Sequence, residues 1–232
     1  SGQKQLYLPE RVHKNTINWE GNMKTYNAAE RVNKGNMFIL DEAAFNIWFT
    51  GKGTSPVEVL INGVQGKGLR HNSNYSVRDI RNSSYRWGRG TLGERHVVEI
   101  LKEELKIHYI DMKQIPERRF FSIDNQQWNC DNEISDFVSE WGNPFGNKKA
   151  LLEPGQKAAI WLLGTDFSIA YLDEENAGQL SVKVDGIEKL SIACNEAYTA
   201  QDGQKYYMEN RKAIGPMPYG MHLVEITALE KA

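Results

Sequence analysis

His96-Val97-Val98-Glu99-Ile100 returns in the second half of the chain as His222-Leu223-Val224-Glu225-Ile226. In each copy two apolar residues flank a glutamate, the alternation of a strand with one face in a core. Upstream stand two further matching elements in the same order. Ile47-Trp48-Phe49-Thr50-Gly51 corresponds to Ile160-Trp161-Leu162-Leu163-Gly164, and Val57-Glu58-Val59-Leu60-Ile61-Asn62-Gly63 to Leu180-Ser181-Val182-Lys183-Val184-Asp185-Gly186. Three short β-like elements in fixed order, repeating after more than about 100 residues, are too widely spaced for a solenoid and suit two copies of a sandwich domain. A length of 232 residues accommodates two such domains, each able to bury its own core.

The composition, 40% hydrophobic and 25% charged, is that of an ordinary globular protein. A formal net charge of −2 gives no overall basic field, so nucleic acid is not an expected partner. The densest basic stretch, residues 78–89, is interleaved with Asp79, serines and glycines and reads as a solvated loop. No run of about 18 apolar residues is present, so no membrane insertion is expected, and the start Ser1-Gly2-Gln3-Lys4 lacks the apolar core of a signal peptide. The two cysteines, Cys130 and Cys194, have no metal-ligand spacing. A disulfide between them and two free buried thiols both stay open.

Short runs of aromatic and β-branched residues bounded by Gly, Asn, Asp and Pro make the chain all-β. Residues 44–49 and 57–61 read as a hairpin around Gly51-Lys52-Gly53, with Asn62-Gly63 marking the next turn. Residues 72–93 form a long polar loop containing Tyr75, Tyr85 and Trp87, followed by closing strands at 96–101 and 105–112. Gln114-Ile115-Pro116-Glu117-Arg118-Arg119 is the expected boundary, which gives a first domain of residues 1–115, a diverged copy, and a second of 116–232. Residues 195–219 repeat the plan of 72–93, with Tyr198, Tyr206, Tyr207 and Tyr219 ahead of the closing strand.

Catalytic signatures are missing. There is no Gly-x-Ser-x-Gly elbow, no His-Glu-x-x-His, and no phosphate loop in a strand-to-helix context, so the chain is read as a non-enzyme. His96 and His222 recur at the start of a repeated strand, which favours a structural role. Glu99 and Glu225 recur between apolar neighbours and read as solvent-facing strand positions. No cofactor and no catalytic metal is expected. A structural calcium at Asp173-Glu174-Glu175-Asn176 is the alternative to a charged hairpin tip.

Aromatics remain. Sugar rings stack on Trp and Tyr, and their hydroxyls pair with Asn, Asp, Gln and Arg, so a glycan site is an aromatic platform rimmed by planar polar groups. Two stretches have that composition: Tyr85, Trp87 and Arg89 with Asn82, and Tyr206, Tyr207 and Arg211 with Asn210. Trp48 and Trp161 sit inside apolar strands and are expected in the core.

Gly164-Thr165-x-Phe167-x-Ile169, Val182-Lys183-Val184-Asp185-Gly186 and Gly220-Met221-His222-x-Val224-x-Ile226 resemble the β-jelly-roll modules that precede the catalytic domain of SGNH-type carbohydrate esterases, and the related galactose-binding-like carbohydrate-binding modules. The resemblance covers about a hundred residues of the second half, and the first half departs from it. It implies two tandem jelly-roll β-sandwich domains with long loops and an accessory rather than catalytic role. The reading is therefore a non-catalytic extracellular or cell-surface protein, a bacterial surface or phage tail receptor-binding module, whose partner is a glycan or cell-wall polysaccharide. The alternatives are an assembly module making protein contacts, with homo-oligomerisation, and an accessory fragment of a carbohydrate esterase.

Overall fold

The computed structural model describes residues 23–27, 37–40, 45–50, 59–65, 84–87, 93–101, 106–113, 119–138 and 147–232. Every strand pair in them is antiparallel and no helix occurs among them, so the chain is all-β. Two compact units divide it: Ser1–Arg118 with Glu140–Gly142, and Arg119–Ser139 with Asn143–Ala232.

Unit one contains β1 (Met23–Asn27), β2 (Met37–Leu40), β3 (Phe45–Thr50), β4 (Val59–Ile61), β5 (Val64–Gln65), β6 (Ser84–Trp87), β7 (His96–Ile100) and β8 (Lys106–Lys113). They form two sheets, in the orders β1-β8-β3-β6 and β2-β7-β4-β5. Met37, Ile39, Val59, Ile61, Val98 and Ile100 are buried.

Unit two contains β9 (Trp128–Cys130), β10 (Ile134–Asp136), β11 (Lys148–Ala150), β12 (Lys157–Gly164), β13 (Phe167–Leu172), β14 (Gln179–Val184), β15 (Ile187–Ala193), β16 (Tyr198–Thr199), β17 (Lys205–Tyr206), β18 (Glu209–Ile214) and β19 (Gly220–Ala228). A five-stranded sheet, β15-β14-β19-β12-β9, faces the pair β13-β18. One core cluster joins them, with Ile160, Leu180, Val182, Val184, Ile192, Val224 and Ile226 from the larger sheet and Ile169 and Ile214 from the smaller. Two sheets sharing their inner faces in this way make a β-sandwich. Alternation sets the inner face: Leu180, Val182 and Val184 point inward while Lys183 is exposed.

The two units share part of their strand-pairing order. In unit one, β5-β4-β7-β2 form one sheet and β3 pairs with β6; in unit two, β15-β14-β19-β12 run in the same order and β13 pairs with β18. The turn after β4 and the turn after β14 match in detail. Asn62 (φ 51°) and Gly63 (φ 75°) occupy the same left-handed pair as Asp185 (φ 51°) and Gly186 (φ 78°), the conformation Asn-Gly and Asp-Gly hairpins favour. Each Asx residue docks on the recurring strand by two bonds. The N–H of Asn62 donates to the Val97 carbonyl at 2.8 Å and its Oδ1 accepts from Val97 N at 2.9 Å. Asp185 N donates to the Leu223 carbonyl at 2.9 Å and Asp185 Oδ1 accepts from Leu223 N at 2.9 Å.

This matching corrects the alignment of the first repeated element. The counterpart of β3, which holds Ile47-Trp48-Phe49 and pairs with β6, is β13, which pairs with β18, while Ile160-Trp161 of β12 corresponds to β2. The hairpin expected around Gly51-Lys52-Gly53 does not form, because β3 pairs with β6 and β8 whereas β4 pairs with β5 and β7 in the other sheet. Part of the expected loop 72–93 is strand β6. Glu99 is buried, 5% exposed, rather than solvent-facing, and Glu225 is half-buried opposite Lys183. Both cysteines are free. Burial, then the Asp173 and Glu196 carboxylates, push the Cys194 thiol up to about 12, so it remains protonated and packs as a small apolar side chain.

Gly178 lies where the chain passes close to the C-terminal segment, its N–H donating to the Lys231 carbonyl at 2.6 Å. A Cβ there would overlap Glu230 Cβ and stand 3.1 Å from the Glu230 carbonyl carbon, atoms that rotamer changes cannot move. Gly178→Ala is expected to cost about 2–3 kcal/mol and lower the melting temperature by about 10 °C, read by thermal unfolding followed by circular dichroism.

Candidate functional site

Among the described residues, those singled out from the sequence lie on β6, on β17 and just after it, and on β18. Tyr85 and Trp87 lie on β6, in register with Ile47 and Phe45, and their side chains and all of Arg89 and Asn82 lie outside the described residues. Tyr206 is half-buried on β17, paired with Tyr198, and its hydroxyl donates to Gln204 Oε1 at 2.8 Å. Tyr207 beside it is half-buried as well. Arg211 is 8% exposed on β18, where its Nε donates to Ser168 Oγ at 2.8 Å and its backbone N–H to Asn210 Oδ1 at 2.8 Å. A guanidinium satisfied inside the protein in this way braces β18 against β13 rather than rimming a surface site.

The acidic stretch is used similarly. Asp173 is buried, its Oδ2 accepting from Asn210 Nδ2 at 2.8 Å and its Oδ1 from Glu196 N at 3.3 Å. Both carboxylate oxygens thus tie the β13–β14 connection to β18 and to the segment after β15. Among the described residues no three His, Cys, Asp or Glu side chains converge, and the donors of the calcium alternative are directed to protein partners at Asp173.

The exposed aromatic platform is elsewhere. On β12, Ala158 and Ile160 point into the core and Trp161 and Leu163 point out; on β19, Val224 and Ile226 point in and Met221 and Leu223 out. The register sets Trp161 opposite Leu223 and Leu163 opposite Met221. Trp161 is 55% exposed, Leu163 59% and Met221 56%, and Tyr219, in the bend before β19, is 75% exposed. Exposed Asn129 of β9 stands opposite Ala159, one alternation step from Trp161, and Lys183 faces Glu225 on the far side. Trp161 is therefore a surface residue and not a core one. The outer face of the sheet thus carries an apolar row bordered by an amide and charged groups.

Sequence reasoning placed Trp161 inside because β12 carries apolar residues on both faces, and such a run reads as buried on both sides. The signal that separates the faces is parity: Ala158 and Ile160 share a face with Val224 and Ile226, and Trp161 shares one with Glu225 and Lys183.

A compact polar cluster closes the end of the sandwich next to this row. His222 Nδ1 lies 2.6 Å from Asp185 Oδ2 and its Nε2 lies 2.8 Å from the Pro218 carbonyl. Its ring meets Phe167 edge-on, with centroids 5.7 Å apart. The hydrogen bond to Asp185, then that to the Pro218 carbonyl, raise the His222 pKa above its ordinary value, and the bond from His222, then that from Leu223 N, hold the Asp185 carboxyl below its own. The counterpart in unit one is uncharged at the turn: Asn62 Nδ2 donates to the Arg95 carbonyl at 3.4 Å and His96 is buried.

No protein-family model and no curated protein matches the chain. Among solved structures it is similar to a conserved protein of unknown function from Pseudomonas aeruginosa PAO1, at 8% identity and a TM-score of 0.26, over 91% of this chain and 95% of that one. A calcium-binding mutant of Bacteroides uniformis beta-glucuronidase 2 gives 9% identity and a TM-score of 0.22, over 94% of this chain and 32% of the other. The same enzyme covalently bound to cyclophellitol-6-carboxylate aziridine gives 10% identity and a TM-score of 0.22, over 94% and 31%. Similarities of this size carry no argument about fold or activity.

Proposed function

We propose that the protein is a non-catalytic glycan-recognition module of two jelly-roll copies acting outside the cell, with the outer face of the five-stranded sheet of unit two as its principal contact surface. The observation that carries the reading is the outward Trp161, with Asn129 one alternation step away on β9 and exposed Tyr219 just before β19. A flat indole offers its face to the C–H side of a sugar ring, and neighbouring amides suit the hydroxyls at the ring edge. The shared strand pairing of the units supports reading them as two copies, and two weak sites engaged together bind far more tightly than either alone. Tyr85, Trp87, Arg89, Tyr206 and Tyr207 stand in this reading as secondary contacts, with the bacterial surface or a phage tail as the setting.

The aliphatic Leu163 and Met221 beside Trp161 favour a second reading, an assembly module that buries the same face against a protein, since Met and aromatic residues are enriched at interface cores. A glycan array that includes bacterial cell-wall polymers, run alongside light scattering, separates the two. Binding to one glycan class by a monomer is the expected result. A stable oligomer that binds no glycan supports assembly instead.

A further inference from the structure

We infer that His222 is a proton-dependent latch: as an imidazolium donating from both ring nitrogens, to the Asp185 carboxylate and the Pro218 carbonyl, it ties the Asp185-Gly186 turn to the segment that presents Tyr219, at the entry to the strand that carries Met221 and Leu223 of the Trp161 row. The inference rests on the proposed role of that row as the binding face.

The geometry requires both protons. The Pro218 carbonyl only accepts, so Nε2 carries a hydrogen. An ionised Asp185 only accepts, and its other oxygen already receives Leu223 N–H, so Nδ1 carries one too. The remaining groups around the ring complete the account. Lys189 adds attraction for the Asp185 carboxylate, Phe167 packs edge-on from β13, Leu162 stands opposite on β12, and the nearby Asp166 carboxylate accepts from Thr165 Oγ1 at 2.6 Å. The loop before β19 is also pinned by Met217 N donating to the Thr165 carbonyl at 2.7 Å. Loss of the Nδ1 proton leaves a neutral ring with one donor for two acceptors, and one of the two ties lapses.

The direction with pH follows from the two groups together. His222, raised in the folded state, stabilises fully below its ordinary value of 6.5, and this contribution is lost as pH rises through the higher folded value. Asp185, lowered, stabilises fully above its ordinary 3.8, and this is lost as pH falls through the lower folded value. The latch is complete between those ordinary values and opens on the alkaline side.

The test is an NMR pH titration of the full chain without sugar, following the His222 ring and the Tyr219 ring in the wild type and in Asp185→Asn. The substitution reproduces Asn62-Gly63 of unit one and keeps an acceptor for Leu223 N. Expected are a wild-type His222 midpoint above 6.5, Tyr219 resonances moving with that midpoint, and both features lost in Asp185→Asn. A His222 midpoint that Asp185→Asn leaves unchanged, or Tyr219 resonances indifferent to it in the wild type, overturns the latch. Because no glycan is present, a negative glycan array leaves the latch standing, and a failed titration leaves the glycan reading standing.

Discussion

Replacing Ile160 with alanine is expected to destabilise unit two by about 3 kcal/mol and to lower its melting temperature by about 15 °C, measured by calorimetry. Ile160 is 2% exposed at the centre of β12, with β19 on one side and β9 on the other, and it belongs to the cluster that both sheets share. Truncation removes most of a buried aliphatic side chain, and the surrounding strands are too constrained by their ladders to collapse into the space. Ile160→Val, which removes a single methylene, is expected to cost about 1 kcal/mol. A difference of that size between the two variants identifies packing, rather than strand propensity, as the cause.

One residue along, Trp161→Ala is expected to do the reverse. The side chain faces outward and is more than half exposed, so its removal should change stability by less than about 1 kcal/mol. On the proposed function it removes the central aromatic of the binding row, worth at least about 2 kcal/mol of binding, or a factor of about 30 in Kd. Neighbours on one strand, one governing folding and the other binding, follow from the two-residue period of a β-strand. Leu163→Ala, further along the same outer face, should weaken binding less, because an aliphatic side chain lacks the flat face on which a sugar ring stacks.

The contrast also shows what the sequence made legible. Local signals read well: Asn62-Gly63 and Asp185-Gly186 announce turns because few residues tolerate positive φ, and the recurring His-x-Val-Glu-Ile strand docks on those turns through the same pair of bonds in both units. Long-range pairing read poorly. Gly51-Lys52-Gly53 has the composition of a hairpin, yet β3 and β4 cross between sheets, and nothing in alternation names the partner of a strand. Burial of polar residues read poorly for a related reason. Arg211 and Glu99 are charged, which predicts exposure, and only the folded structure supplies what surrounds them, such as Ser168 opposite the Arg211 side chain. The outward row was hidden because an apolar residue on the outside of a sheet has the same sequence signature as one inside.

The central claim, that the outer face of unit two recognises glycans, is tested most directly by running the wild type and Trp161→Ala in parallel on one glycan array, with melting temperatures of both proteins measured. The account predicts that the wild type binds one glycan class, that Trp161→Ala loses that signal, and that the two proteins melt within a few degrees of each other. Retention of the wild-type signal by Trp161→Ala, or no binding by either protein, would contradict it.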